Sequence, residues 1–175
     1  QPNVGQAGCV ACASGKFSSA LGATGCTDCA VGGYCPDAGA ASALVFRQCP
    51  AGTYNPDRGS SSSDACRACP AGKANPVPGT ESADVCKLCL PGSFADAPET
   101  DTCELCPVGK FISTPGNTAC DDCTPGYLCV EGSSAPQPCR GGTHANQTVL
   151  TLDGFLSSLD QCAVCPAGTS CSVGS

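Results

Sequence analysis

A cysteine followed three residues later by a glycine recurs along this chain, and nine such cysteines serve as anchors, one per repeat. The anchors are Cys12, Cys29, Cys49, Cys69, Cys89, Cys106, Cys123, Cys139 and Cys165. Successive anchors stand 17, 20, 20, 20, 17, 17, 16 and 26 residues apart. Units this short cannot bury a core alone, so they must stack on one another. Other positions recur in register with the anchor. An aromatic residue stands five positions after it at Phe17, Tyr34, Tyr54, Phe94 and Phe111. Another cysteine stands three before it at Cys9, Cys26, Cys66, Cys86, Cys103, Cys120 and Cys162. A third stands six after it at Cys35, Cys129 and Cys171. The glycine allows the chain to turn with positive φ, and Pro50, Pro70, Pro107 and Pro166 restrict the backbone beside their anchors.

The supply of large apolar side chains is small. Leu, Ile, Val and Phe number 27 among 175 residues, with no Trp and no Met, against 19 Cys. Cross-links must therefore replace much of what burial contributes elsewhere. The expected fold is a series of small disulfide-rich repeats. They form an elongated rod of stacked short turns and hairpins, with little regular helix or strand and no single core. The net charge is −7, and Lys and Arg form no run. Phosphate-neutralising clusters are thus missing, which argues against nucleic acid and against an anionic membrane surface. No apolar window is long enough to cross a bilayer, so no direct membrane insertion is expected. A chain without Met that begins "QPNVGQ" reads as a processed product or a segment of a longer protein.

Repeated C-x-x-C pairs admit three chemistries. Zinc ligand pairs share the spacing, but four-ligand sets do not tile this chain, and His144 is its only histidine. A thioredoxin-like motif needs a helix start and a βαβ context, and neither is visible. Disulfides allow a count. If each anchor closes onto the next cysteine, the pairs are Cys12–Cys26, Cys29–Cys35, Cys49–Cys66, Cys69–Cys86, Cys89–Cys103, Cys106–Cys120, Cys123–Cys129, Cys139–Cys162 and Cys165–Cys171. Only Cys9 is left unpaired. A rival joins Cys35 to Cys49 and Cys129 to Cys139, and spacing alone does not decide between the two.

The pattern C-x-x-C-P-x-G-x-[FY] resembles the ephrin-receptor-like cysteine-rich repeat. It is also similar to the short first module of tumour-necrosis-factor-receptor repeats. Its clearest carriers are "CPAGTYNPDRGSSSSDACRACPAG" (49–72) and "CELCPVGKFISTPGNTACDDCTPG" (103–126). The likeness covers about residues 9–171. It implies an extracellular, disulfide-bonded, non-catalytic protein that uses no cofactor. Such repeats occur in receptor ectodomains and in long arrays of algal and protist surface proteins, mastigoneme (flagellar-hair) proteins among them. Two repeats depart from the pattern. "CRGGTHANQ" (139–147) lacks the proline and the aromatic, and repeat 69–85 has Ala74 at the aromatic position. Bends are expected there.

The expected organisation is a lead-in over 1–8, repeats one and two over 9–48, repeats three to six over 49–122, and repeats seven to nine over 123–175. The last group holds an apolar insertion at 143–161. Asn146 heads the sole N-x-[ST] sequon, making it the candidate N-glycan site. The stretches 60–63 and 75–80 are candidate O-glycan carriers, with solvated turns the plainer reading. Val149, Leu150, Leu152, Phe155 and Leu156, with Leu159 nearby, form a candidate contact patch around an Asp-Gly step. Folding back into a local core is the competing reading. No catalytic frame is seen, so an enzyme is not expected; Asp121 and Asp122 read as a solvated pair. The leading expectation is a fibre or cell-surface filament subunit that associates with itself or with a filament partner. The alternative is a receptor or adhesion ectodomain that binds a ligand.

Overall fold

The structure, a computed structural model, describes residues 9–146 and 154–173. The lead-in at 1–8 lies outside them, as do Val149, Leu150 and Leu152 of the expected patch and Thr148 of the sequon. Among the described residues there is no α-helix, only two- and three-residue strands and three-residue 3-10 turns. The chain is an array of small disulfide-rich repeats, and among the described residues seven of them are built on a two-stranded antiparallel hairpin. It divides into two contact units. One comprises residues 1–68 and 75–85, the other 69–74 and 86–175.

One local logic generates every hairpin. The anchor glycine turns the chain, as at Gly72 with φ +81. The next two residues form the outgoing strand. The return strand ends just before the following anchor, between the cysteines of a C-x-x-C pair in most hairpins and after Phe46 in the one that ends at Cys49. Next, the following anchor's N–H donates to the glycine carbonyl, as from Cys89 to Gly72 at 3.0 Å. In six of the seven hairpins the disulfide then clamps the outgoing anchor to the end of the loop, whereas Cys29–Cys35 closes at its start.

In the first unit the hairpins pair Lys16–Phe17 with Thr27–Asp28, Gly33–Tyr34 with Arg47–Gln48, and Thr53–Tyr54 with Arg67–Ala68. The 3-10 turn Ala43–Val45 leads into the second return strand, and its cap, the Ser42 hydroxyl, accepts from the Leu44 N–H at 3.0 Å. In the second unit Lys73–Ala74 pairs with Lys87–Leu88, Ser93–Phe94 with Glu104–Leu105, Lys110–Phe111 with Asp121–Asp122, and Thr143–Ala145 with Cys162–Val164. The repeat at Cys123 has no such hairpin. Leu128 bridges Gln137 on one side and Leu156 on the other.

The buried interior is a row of small clusters. Anchors from Cys12 to Cys139 are buried, and so is the residue six positions after most of them: Cys35, Asn55, Asn75, Ala95, Ile112, Cys129 and Ala145. The aromatics at Phe17, Tyr34, Tyr54, Phe94 and Phe111 are only half-buried. A two-residue strand alternates its side chains, and here the following residue, not the aromatic, points inward. The largest apolar cluster joins Leu128, Cys139, Ala145 and Leu156, with Cys162 against it. Ala74 is itself buried, in a cluster with Cys89 and Ala95.

Candidate functional site

The repeated structural site of this protein is the junction between one repeat and the next. Three backbone hydrogen bonds build it. In the first unit Gly32 N–H donates to Asn55 (2.7 Å), Cys35 N–H to Ser60 (2.9 Å), and Gly59 N–H back to Cys29 (2.9 Å). In the second unit the same three run from Gly92 to Ile112 (2.9 Å), Ala95 to Asn117 (3.3 Å) and Gly116 to Cys89 (2.9 Å). Each is worth about 1 kcal/mol net. All six groups belong to the main chain, so the junction tolerates wide variation in exposed side chains.

A second glycine, ten residues after most anchors, completes the contact. A Cβ at Gly72 would overlap the carbonyl oxygen of Gly116, two repeats further on, and one at Gly92 would overlap that of Gly132. In the first unit Gly32 meets Gly79 the same way. These repeats therefore touch their next-but-one neighbours, which nearest-neighbour stacking does not require. The residue before an anchor then covers the second glycine, Leu88 over Gly116 and Leu105 over Gly132. Glu99 occupies the second-glycine position of its repeat at φ +64, and its N–H still donates to Cys69 at 3.0 Å.

Side chains reinforce two junctions of the first unit. Asn55 Nδ2 donates to the Gly33 carbonyl at 2.8 Å and to Ser60 Oγ at 2.9 Å, while its Oδ1 accepts from Asp57 N–H. Asn75 Nδ2 reaches the Thr53 carbonyl and Thr80 Oγ1. No buried side-chain nitrogen or oxygen among the described residues lacks a partner. The exposed ion pairs Lys16–Asp28, Arg67–Asp57 and Lys110–Asp122 span their hairpins and contribute little in water.

The structure joins Cys12 to Cys26, Cys29 to Cys35, Cys49 to Cys66, Cys69 to Cys86, Cys89 to Cys103, Cys106 to Cys120, Cys123 to Cys129, Cys139 to Cys162 and Cys165 to Cys171. Each anchor thus closes onto the next cysteine in the chain. Cys9 is a free, exposed thiol. His144 Nδ1 lies 3.9 Å from Cys171 Sγ and near Cys165. Those two sulfurs are bonded to each other, and a disulfide has no thiolate to offer a metal.

The insertion after Cys139 alters the junction. Gly126 N–H donates to Gly154 at 2.9 Å, and Leu156 N–H to Tyr127 at 2.9 Å. Residues 154–156 thereby take the place that a repeat's own turn fills elsewhere. A Cβ at Gly109 would strike the ring of Phe155. Leu156 is fully buried. It belongs to a local core and corrects the expectation of an exposed contact patch: a leucine closed in by Leu128 and two neighbouring repeats has no surface to offer. Leu159 is exposed at 44 %. Asn146 is half-buried, with its N–H bonded to the Gln161 carbonyl at 3.1 Å.

Sequence reasoning missed the second glycine, the buried sixth position and the two bridging asparagines. Aligning all nine repeats on their anchors would have shown the glycine column, broken only where Glu99 stands and where repeats change length. The architecture defines a class: a tandem array of small, disulfide-closed, cysteine-rich repeats. Nine disulfides fit an extracellular protein, since such bonds persist in oxidising compartments. No helix among the described residues is long and apolar enough to cross a membrane. No protein-family model and no curated protein matches the chain.

Proposed function

We propose that this chain is a non-catalytic structural segment of an extracellular protein, a fibre or cell-surface filament subunit that associates with itself. The observation that carries this reading is the junction itself. Every repeat has its own disulfide staple, and successive repeats are tied by backbone hydrogen bonds. Such a chain resists local unfolding and proteolysis between cross-links, which suits a load-bearing spacer. The resemblance to ephrin-receptor-like repeats, and to those of mastigoneme proteins, belongs to this reading. A glycan at Asn146 belongs to it too. The cysteine chemistry is spent on cross-links, and nothing in this reading calls for a cofactor.

Electron microscopy of the purified native protein tests the proposal. Filaments or regular surface fibres containing the chain are the expected result. Isolated particles in complex with a soluble ligand would replace it with the receptor-ectodomain alternative. Mass spectrometry of the Asn146 peptide, before and after glycosidase treatment, reads out the glycan.

A further inference from the structure

The junction of Gly32 with Asn55 in the first unit and that of Gly92 with Ile112 in the second carry the same set of main-chain bonds. Each therefore sets two successive hairpins in the same arrangement. At one register position the two hairpin pairs differ in sign. In the first unit Arg47 lies opposite Tyr34, and Arg67 opposite Tyr54. In the second unit Glu104 lies opposite Phe94, and Asp121 opposite Phe111. Directly opposed residues of an antiparallel pair share a face, so each of these hairpins shows a charge beside an aromatic ring. The charged residues are all exposed and the rings all half-buried. Arg67 also pairs with Asp57 at 2.7 Å, an exposed contact. A guanidinium offers several donors and can take a second carboxylate. The repeat before each pair breaks the pattern. Thr27 opposite Phe17 is uncharged, and Lys87 opposite Ala74 has no ring beside it. The junction bonds use none of these side chains, so the charges are not needed to hold one repeat on the next.

We propose that the basic face of one copy docks on the acidic face of a second copy of this chain. Arg47 and Arg67 meet Glu104 and Asp121, and the rings of Tyr34, Tyr54, Phe94 and Phe111 come together between them. What points to a second copy is the match. The two faces share a register position and a main-chain arrangement and carry opposite charge, so both charges of one face engage at once. Like faces repel, and only opposite faces join. The contact is heterologous, and a copy bound by one face keeps the other for the next copy. This inference rests on the proposed structural function and names the surface by which copies join.

Sedimentation velocity over a range of concentrations, on the 175-residue chain with the Cys9 thiol alkylated, tests it. Oligomers should grow with concentration and shrink as salt is raised, because exposed charges are screened. Arg47→Glu with Arg67→Glu should raise the dissociation constant about tenfold or more, and so should Glu104→Lys with Asp121→Lys. These positions are exposed, so the disulfides and the unfolding midpoint should stay in place. An equimolar mixture of the two variants should associate again, since one carries two acidic faces and the other two basic ones. The chain with all four changes exchanges the signs and should self-associate like the parent. If oligomers form but the reversals leave the dissociation constant unchanged, or neither the mixture nor the fourfold variant recovers, copies join elsewhere; the inference is then overturned while the structural function stands. A parent that stays monomeric overturns the inference and leaves the two faces to foreign partners of opposite charge. Filaments in native material would still uphold the structural function in that case, and their absence would remove it as well.

Discussion

The side-chain amide of Asn75 donates to the main-chain carbonyl of Thr53 at 3.0 Å, across the boundary between two repeats. Asn55 makes the equivalent bond to Gly33 at 2.8 Å. Where other repeats place cysteine, alanine or isoleucine at this buried position, these two use an amide as a bridge. Truncation would leave the Gly33 carbonyl and the Asp57 N–H without that partner. Asn55→Ala should therefore cost about 2 kcal/mol. Thermal unfolding under non-reducing conditions measures it, and an unchanged midpoint would mean that the bridge adds no stability.

Glu99 is the one non-glycine residue at positive φ among the described residues. A side chain there costs roughly 1–2 kcal/mol, part of which glycine loses again through its freer unfolded chain. Glu99→Gly should stabilise by about 1 kcal/mol. The same unfolding experiment reads this, and a destabilised variant would show that the glutamate makes a compensating contact.

Gly72 combines positive φ with a carbonyl where its Cβ would go. Gly72→Ala should cost about 3 kcal/mol, from strain and overpacking together. The damage should be local. Hydrogen exchange should quicken at the amides of Gly72 and Gly116 and stay slow in the repeats beyond. Uniform loss of protection would instead point to one cooperative unit.

Leu156 is closed into the cluster with Leu128 and Ala145. Leu156→Ala should cost about 2–4 kcal/mol through lost transfer energy and a residual cavity. Comparison with Leu159→Ala at an exposed site supplies the control. Equal effects of the two would contradict the placement of Leu156 in a core.

Cys165 and Cys171 are half-exposed, whereas both sulfurs of Cys29–Cys35 belong to buried residues. Access to the attacking thiolate governs exchange. Graded reduction followed by alkylation and peptide mapping should open Cys165–Cys171 well before Cys29–Cys35. These two bonds span equal loops of six residues, so burial is the variable compared. The reverse order would show that access does not control reduction here.

Much of the local fold was legible because its signals are chemical and repeat. The C-x-x-G anchors mark turns and cross-links, and the next cysteine lies within reach of each anchor. The contact patch was misjudged at Leu156 because an apolar run gives no sign of what covers it. Leu128 and Ala145 cover it from positions with no apolar pattern of their own. Likewise, periodicity drew attention to the aromatics, while Asn55, Ala95 and Ile112 fill one buried position with unlike side chains.

By itself, the sequence determined the repeat, its anchors, the scarcity of apolar surface and the need for cross-links. These follow from residue type and spacing alone. Only the tertiary structure decided how repeats engage: the three-bond junction, the approach of Gly72 to Gly116 two repeats away, and the insertion's seat over Gly109. The physical reason is that main-chain donors and acceptors carry that engagement. Every non-proline residue owns the same N–H and C=O, so their pairing leaves its mark in the sequence only where a side chain would obstruct it, at the glycines.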